Sequence, residues 1–258
     1  MRFDLLLTVI SKERGTVLPI NYQYELSSWI YKVLNEGDPV FSEWLHENGY
    51  KTNDKPFKLF TFSNLIIPLY KVDNDRINIL SDKITLIISF LPDEAIEPFI
   101  LGLFKDRRLI VGDKKSQVAF EISQVTGLPP LSFERKMIFR TISPIFVDEY
   151  DLQRDSSKHL SPEDKNYSNI IHNNLIEKYR AFYNKEPDLA WPVTKIKVLG
   201  NPKSKMVEIK TGTAQVTKIR AFNFKFEIEG SKELIEVGYF GGLGRLGSQG
   251  FGCVEADK

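Results

Sequence analysis

The sequence predicts an α+β protein whose first half runs β-α-β-β-α-β and whose second half is a decorated version of the first. Strand-like apolar runs alternate with helical periodicities through residues 1–126. A Gly/Pro break, GLPPLSF at 127–133, then interrupts the chain, and strand signals resume on both sides of a long helical period after it. This order is the split βαβ, or ferredoxin-like, pattern. It divides the chain into expected domains at 1–126 and 127–258.

The elements follow in order. Arg2 to Ile10 is rich in Leu, Val and Ile and reads as a strand. Residues 22–36 place apolar side chains at 22, 26, 29, 30, 33 and 34, a helical period. Gly37-Asp38-Pro39 breaks that helix, and a short second one runs to His46, where Asn48-Gly49 stops it. FKLFTFS at 57–63 and KITLIISF at 83–90 are strands, residues 93–104 a helix despite Pro98, and 108–124 extended. In the second half, strand signals cover 133–147, and a polar, charged stretch runs from Asp148 to Lys165. A helix is expected from Ser168 to Tyr183, with Ile170, Ile171, Leu175, Tyr179 and Phe182 on or near one face. Strands follow at 193–199, 205–210 and 214–229. Ser231 caps a short helix ending near Val237, and GFGCVEA forms the last strand.

Composition narrows the function. The 258 residues are 42% hydrophobic and 27% charged, with a formal charge of +1, so the chain is not globally polybasic. One cysteine, Cys253, excludes an internal disulfide framework and a cysteine-based metal cluster. His46, His159 and His172 match no metal-ligand spacing, so no metal and no cofactor is expected, and His159 and His172 read as surface residues. No apolar run approaches the ~20 residues of a membrane span. The N-terminus reads as a strand rather than a signal peptide, and a cytoplasmic protein with no membrane partner is expected.

Charge is local. Residues 193–220 hold Lys195, Lys197, Lys203, Lys205, Lys210, Lys218 and Arg220 against Glu208 alone, a local excess of six. This is either a solvated hairpin with lysines on its outer face or a phosphate-binding surface, whose contacts add affinity without reading sequence. The smaller group Lys105, Arg107, Arg108, Lys114 and Lys115 fits a solubilised turn. YFGGLGRLGSQGFG carries Gly241, Gly242, Gly244, Gly247, Gly250 and Gly252 around Arg245, without a P-loop or dinucleotide fingerprint. Dense glycine lets backbone N–H groups approach an anion, with Arg245 in reach of a phosphate. The alternative is a turn that needs its glycines for close packing.

YQYELSSWIYKVLNEGDPVFSEWLHENGY, FKLFTFS and the terminal VGYFGGLGRLGSQGFGCVE resemble the CRISPR-associated endoribonucleases of the Cas6 family, over nearly the whole chain. The resemblance implies tandem ferredoxin-like, RRM-like domains that bind the repeat of a CRISPR precursor transcript. It implies one metal-independent cut per repeat, leaving a 2′,3′-cyclic phosphate and a 5′-hydroxyl. It places a Tyr/His/Lys site on Tyr31, on His46 of Leu-His-Glu, and on Lys58 of Lys-Leu-Phe-Thr, with Lys51 and Lys55 as substitutes for Lys58. On charge alone, the basic hairpin residues Lys195, Lys197, Lys203, Lys205, Lys218 and Arg220 would hold that RNA, together with Gly242, Gly244, Arg245 and Gly247 of the glycine-rich stretch.

Attack by the RNA's own 2′-hydroxyl needs an in-line geometry, a stabilised phosphorane and a protonated leaving oxygen. Histidine exchanges protons near neutral pH, lysine supplies fixed charge, and tyrosine is a poor base at its free pKa of ~10. Lys58 is therefore assigned to charge, Tyr31 to positioning or base work, and His46 to proton transfer, as general acid in the preferred version. Each also has a plain reading: a core tyrosine, a helix-end cap and an outward strand lysine. The competing functions are a weakly cutting repeat-RNA binder, a structural subunit of a CRISPR effector complex, and an RNA-associated protein without chemistry. Association with effector subunits and a homodimer are left open.

Overall fold

The computed structural model describes residues 1–151, 156–188, 190–209 and 216–257. The first sheet takes β1 (Arg2–Val9), β2 (Phe60–Phe62), β3 (Lys83–Phe90), β4 (Arg108–Gly112) and β5 (Gln117–Gly127) in the order β2-β3-β1-β5-β4. The second takes β6 (Lys136–Thr141), β7 (Lys195–Ile209), β8 (Thr217–Glu229) and β9 (Val254–Ala256) in the order β7-β8-β6-β9. With β4 set aside as an added edge strand, both sheets share one topology, two α+β units of ferredoxin-like type. All pairings in the two sheets are antiparallel. Among the described residues no helix is long and apolar enough to cross a membrane.

The first unit's helices are α1 (Gln23–Gly37), α2 (Pro39–Glu47) and α3 (Ile96–Lys105). Leu26, Trp29, Ile30, Val33 and Leu34 form the buried stripe of α1 and pack with Leu5, Leu7, Leu86, Ile88 and Phe99. Asp38 both ends α1 and starts α2. Proline disfavours a helical conformation in the residue before it, so Asp38 is extended, and its carboxylate accepts from Phe41 N at 3.0 Å as the cap of α2. Pro98 sits in the first turn of α3, where a missing N–H costs no helical bond. Helices α1 and α3 meet backbone to backbone. A Cβ on Gly102 would lie 1.9 Å from Val33 O, and one on Gly37 1.8 Å from Pro98 O.

The second unit adds α4 (Tyr167–Tyr183) and α5 (Lys232–Gly241) over a core of Phe139, Phe224, Phe226, Ile171, Leu175 and Leu234. Phe57, Leu59 and Leu91 of the first half join this core. Arg2 ties the halves together. It is 3% exposed, donates to Val254 O at 2.8 Å and Tyr239 O at 3.0 Å, and lies 3.7 Å over the Tyr239 ring.

Several expectations change. FKLFTFS is not one strand: Lys55–Phe57 pairs with Tyr50–Thr52, Phe60–Phe62 pairs with β3, and Leu59 turns the chain at φ 53° as it enters the second core. The two strands expected at 193–199 and 205–210 are one, Lys195–Ile209, with an irregularity between Leu199 and Lys203. Lys210 lies outside the described residues. The polar stretch after Val147 opens with a hairpin, Asp148–Asp151 with Ser156–His159. Beyond Thr141, the expected strand reaches only isolated bridges at Ile145 and Phe146. The helix capped by Ser231 runs on to Gly241.

Gly102→Ala tests the α1–α3 contact. In an exposed helix this change gains up to ~1 kcal/mol. Here the Cβ meets a carbonyl, and a loss of about 1–3 kcal/mol is expected in urea unfolding. A midpoint at or above wild type contradicts the packing.

Candidate active site

Four elements converge where the two units meet. Tyr31 projects from α1, His46 from the last turn of α2, Lys58 from the bend before β2, and Ser248 from the glycine-rich turn after α5. The Tyr31 and His46 rings meet edge to face, centroids 5.1 Å apart. Lys58 Nζ donates to His46 O at 2.5 Å, a cation on the C-terminal carbonyls of α2. Ser248 lies beside the Tyr31 phenol, where its side chain eases the ionisation that burial opposes, and Ser27 Oγ donates to Ser248 O at 2.6 Å. Ser42 Oγ donates to Tyr31 O at 3.2 Å and fixes α2 against α1. The three residues singled out in the sequence thus form one contact chain.

Electrostatics assigns their capacities. Burial pushes the Tyr31 phenol up to about 12, so at neutral pH it is protonated and orients a partner by hydrogen bond. Burial, then the nearby Lys51, lowers the Lys58 ammonium, against the pull of Glu47. A less solvated cation attracts an approaching anion more strongly. Lys51 and Lys55, the substitutes for Lys58, sit on the neighbouring hairpin and are engaged by Asn48 and Glu177 respectively. A cavity of about 340 Å³ opens beside Lys58, lined by Phe60, Asn174, Lys178, Gly244 and Ser248 among others. Among the described residues no group of three or more His, Cys, Asp or Glu is arranged to hold a metal ion.

The glycine-rich turn is packed as tightly as it is flexible in composition. Gly244 and Gly252 have φ 76° and 75°, and Cβ atoms there would lie 2.4 Å from Phe146 O and 2.1 Å from Leu243 O. Gly244, Arg245 and Gly247 line the cavity, whereas Gly242 closes α5 and turns its carbonyl to Lys178. Arg245 is held by the carboxylate of Asp148 at 2.7 and 2.5 Å, with Asp148 5% and Arg245 49% exposed.

The basic hairpin is not one cationic face. Lys195 and Lys197 stand opposite Glu229 and Glu227, two acids just beyond the window in which the excess of six was counted. Lys218 pairs with Glu208 at 3.3 Å. Lys203 and Lys205 share one face, and Lys218 and Arg220 take the other. Lys205 is half-buried against Tyr22 and Leu65, and its burial lowers its pKa. Arg220 Nε donates to Ser204 Oγ at 3.0 Å. None of these six lines the cavity beside Lys58.

His159 and His172, expected at the surface, are half-buried. His159 Nδ1 accepts from Arg220 N at 3.1 Å, and His172 Nδ1 accepts from Thr194 N at 3.1 Å. Ser248, Asn174, Lys178 and Asp148 escaped the sequence reading. For Lys178 a signal exists: it falls three residues after Leu175 and seven after Ile171, a lysine on the apolar face of α4.

Fold and contacts define a protein of two α+β units with a polar site at their seam. Comparison with known proteins supplies the family. Residues 17–125 match the family model described as "CRISPR-associated protein Cas6, N-terminal", and 128–256 that described as "CRISPR associated protein Cas6, C-terminal". The chain is 33% identical to "CRISPR-associated endoribonuclease Cas6 1" of Methanocaldococcus jannaschii, over 98% of this chain and 92% of that protein. A solved structure titled "Characterization of a Cas6-related gene from Pyrococcus furiosus" superposes with TM-score 0.82 at 27% identity, covering 100% of this chain and 98% of the other. Another, "An RAMP protein binding different RNA substrates", gives TM-score 0.81 at 25% identity over 100% of both chains. The chain belongs to the Cas6 family of CRISPR-associated proteins.

The Asp148–Arg245 pair makes an asymmetric prediction. Arg245→Ala leaves the buried Asp148 carboxylate with the Ser157 hydroxyl in place of an ion pair and is expected to cost about 1–3 kcal/mol in urea unfolding. Asp148→Asn leaves the half-exposed guanidinium to water and should cost less. The reverse order would show that Asp148 is not held in place by Arg245.

Proposed function

We infer that this protein is an endoribonuclease that cuts CRISPR precursor RNA within its repeats by 2′-hydroxyl attack. The observation that carries the reading is the contact chain Ser248–Tyr31–His46–Lys58, which gathers a hydrogen-bond donor, a proton carrier and a cation from separate elements. The family and the M. jannaschii relative's description support the substrate class. In this mechanism Tyr31 orients the attacking ribose. The 2′-oxygen bonds to phosphorus as its proton passes to solvent, and Lys58 offsets the phosphorane charge. The departing 5′-oxygen takes a proton from the His46 imidazolium. The products are a 2′,3′-cyclic phosphate and a 5′-hydroxyl, and no metal takes part. Residues 1–126 carry the chemistry, and 127–258, an RRM-like unit, contributes the glycine-rich turn and the basic hairpin. A binder that holds repeat RNA without cutting it, free or as a subunit of an effector complex, is the second reading. The description of one structural relative as a protein binding different RNA substrates supports RNA binding under either reading.

Single-turnover cleavage of repeat RNA in EDTA separates them. Wild type is expected to cut once, a 2′-deoxy at the scissile nucleotide to abolish the cut, and His46→Ala to slow it about 10²–10⁴-fold. Tight binding with no cut selects the binder.

Tyr31→Phe should lower the rate yet keep the shape of the pH–rate profile through neutrality, since a phenol at about 12 does not titrate there. A lost limb would make Tyr31 a base.

On the hairpin, Lys203 faces Asn223 rather than an acid. Lys203→Ala is expected to reduce the salt slope of binding by about one. Lys195→Ala and Lys197→Ala should reduce it less. Equal effects would show that Glu227 and Glu229 do not compensate the two lysines.

A further inference from the structure

Lys178 sits where lysines are rarely tolerated. It lies on the core face of α4, is 4% exposed, and has no carboxylate as partner. Its ammonium is spent on backbone: Gly242 O at 2.5 Å, Gly244 O at 2.8 Å and Gly241 O at 3.4 Å. All three belong to the turn that also carries Ser248. The nearby charges are Lys55 on the hairpin before β2 and Glu177 on α4 itself, and those two pair with each other. One turn earlier, Asn174 is 6% exposed and lines the same cavity, and its Oδ1 has no hydrogen-bond partner. Burial, then Lys55, lowers the Lys178 ammonium to about 7, so its charge near neutral pH rests on the three carbonyls that accept its protons.

Carbonyl oxygens carry partial negative charge. Three of them turned toward the cavity would repel a phosphate, and an unsatisfied loop would let them turn. A buried ammonium reverses both effects. It takes the oxygens onto its own N–H groups, and its charge sits at the cavity wall that it lines with Gly241 and Gly244.

We propose that Lys178 is a positioning residue for cleavage: it holds the Gly241, Gly242 and Gly244 carbonyls on its ammonium, so that the scissile phosphate meets a wall whose negative ends are already taken up, with Ser248 seated against Tyr31. The inference rests on the cleavage reading above.

The test compares wild type with Lys178→Met, which has a similar length and no donor, and Lys178→Gln, which keeps an N–H. Three quantities are measured: the single-turnover cleavage rate, the affinity for 2′-deoxy repeat RNA, and amide hydrogen exchange across 241–250. In K178M, cleavage should slow about 10-fold or more while affinity stays within about 3-fold. Exchange should quicken in 241–250 and not elsewhere, with K178Q intermediate. Cleavage within about 2-fold of wild type overturns the proposal. So does a rate that falls only in proportion to affinity and melting temperature, the mark of a purely structural lysine. If K178M does not fold, K178Q is read against the same thresholds. A wild type that binds and does not cut overturns the cleavage reading and this inference with it. A wild type that cuts beside an unaffected K178M overturns this inference alone.

Discussion

The site depends on how closely the glycine-rich turn approaches backbone. Gly244 and Gly252 bring their α-carbons to within a missing methyl of the Phe146 and Leu243 carbonyls. Thr61 Oγ1 donates to Phe251 O at 2.8 Å, joining strand β2 of the first unit to the closing Gly-Phe-Gly of the second. Phe251 itself is fully buried against Phe146. Any side chain at these glycines would push the turn off the seam. With it would go the Ser248 contacts to Ser27 and Tyr31. The glycines therefore serve packing first, and whatever the turn offers a ligand is a consequence of where packing puts it.

Opposite the turn, rigidity comes from a short local code. Asp38 terminates α1 and caps α2, so the angle between the helices is set within two residues. Tyr31 and His46 meet because of that angle, and the Ser42 bond to the Tyr31 carbonyl locks it. Lys58 joins them because Leu59 adopts a left-handed conformation that ends one hairpin and starts β2. Strain at a non-glycine residue persists where surrounding structure determines it. Here the burial of Leu59 in the second core does so, which couples the placement of Lys58 to the other unit.

This explains what could be read beforehand. Strand β1, helices α1 and α2, and the break at 37–39 were legible because periodicity and capping are local. The interruption of 57–63 was not, since alternation continues through it and the turn at Leu59 is a tertiary effect. Tyr31, His46 and Lys58 could be singled out as candidates by the family resemblance, but Ser248 is an ordinary serine in the sequence and gains its place beside them only from the fold. Lys178 was visible as a lysine among the apolar positions of α4, yet its partners lie over sixty residues away and are main-chain oxygens, which no residue type announces. That Lys195 and Lys197 stand opposite Glu229 and Glu227 was hidden because it depends on strand register.

Register also relocates the positive charge. A lysine opposite a glutamate is neutralised at close range, and one bonded to a carbonyl is not. On the hairpin, Lys195, Lys197 and Lys218 face acids. Along the seam, Arg2, Lys58 and Lys178 are all satisfied by main-chain carbonyls. A dipole compensates part of the lost hydration of a cation without cancelling its charge. Desolvation there is costly, and carboxylates would have been the cheaper partners for stability alone. A protein of net charge +1 thus keeps positive charge at the junction of its units, while part of its conspicuous lysine cluster faces acids. The structure holds positive charge at the seam as well as on the hairpin that is most basic in sequence.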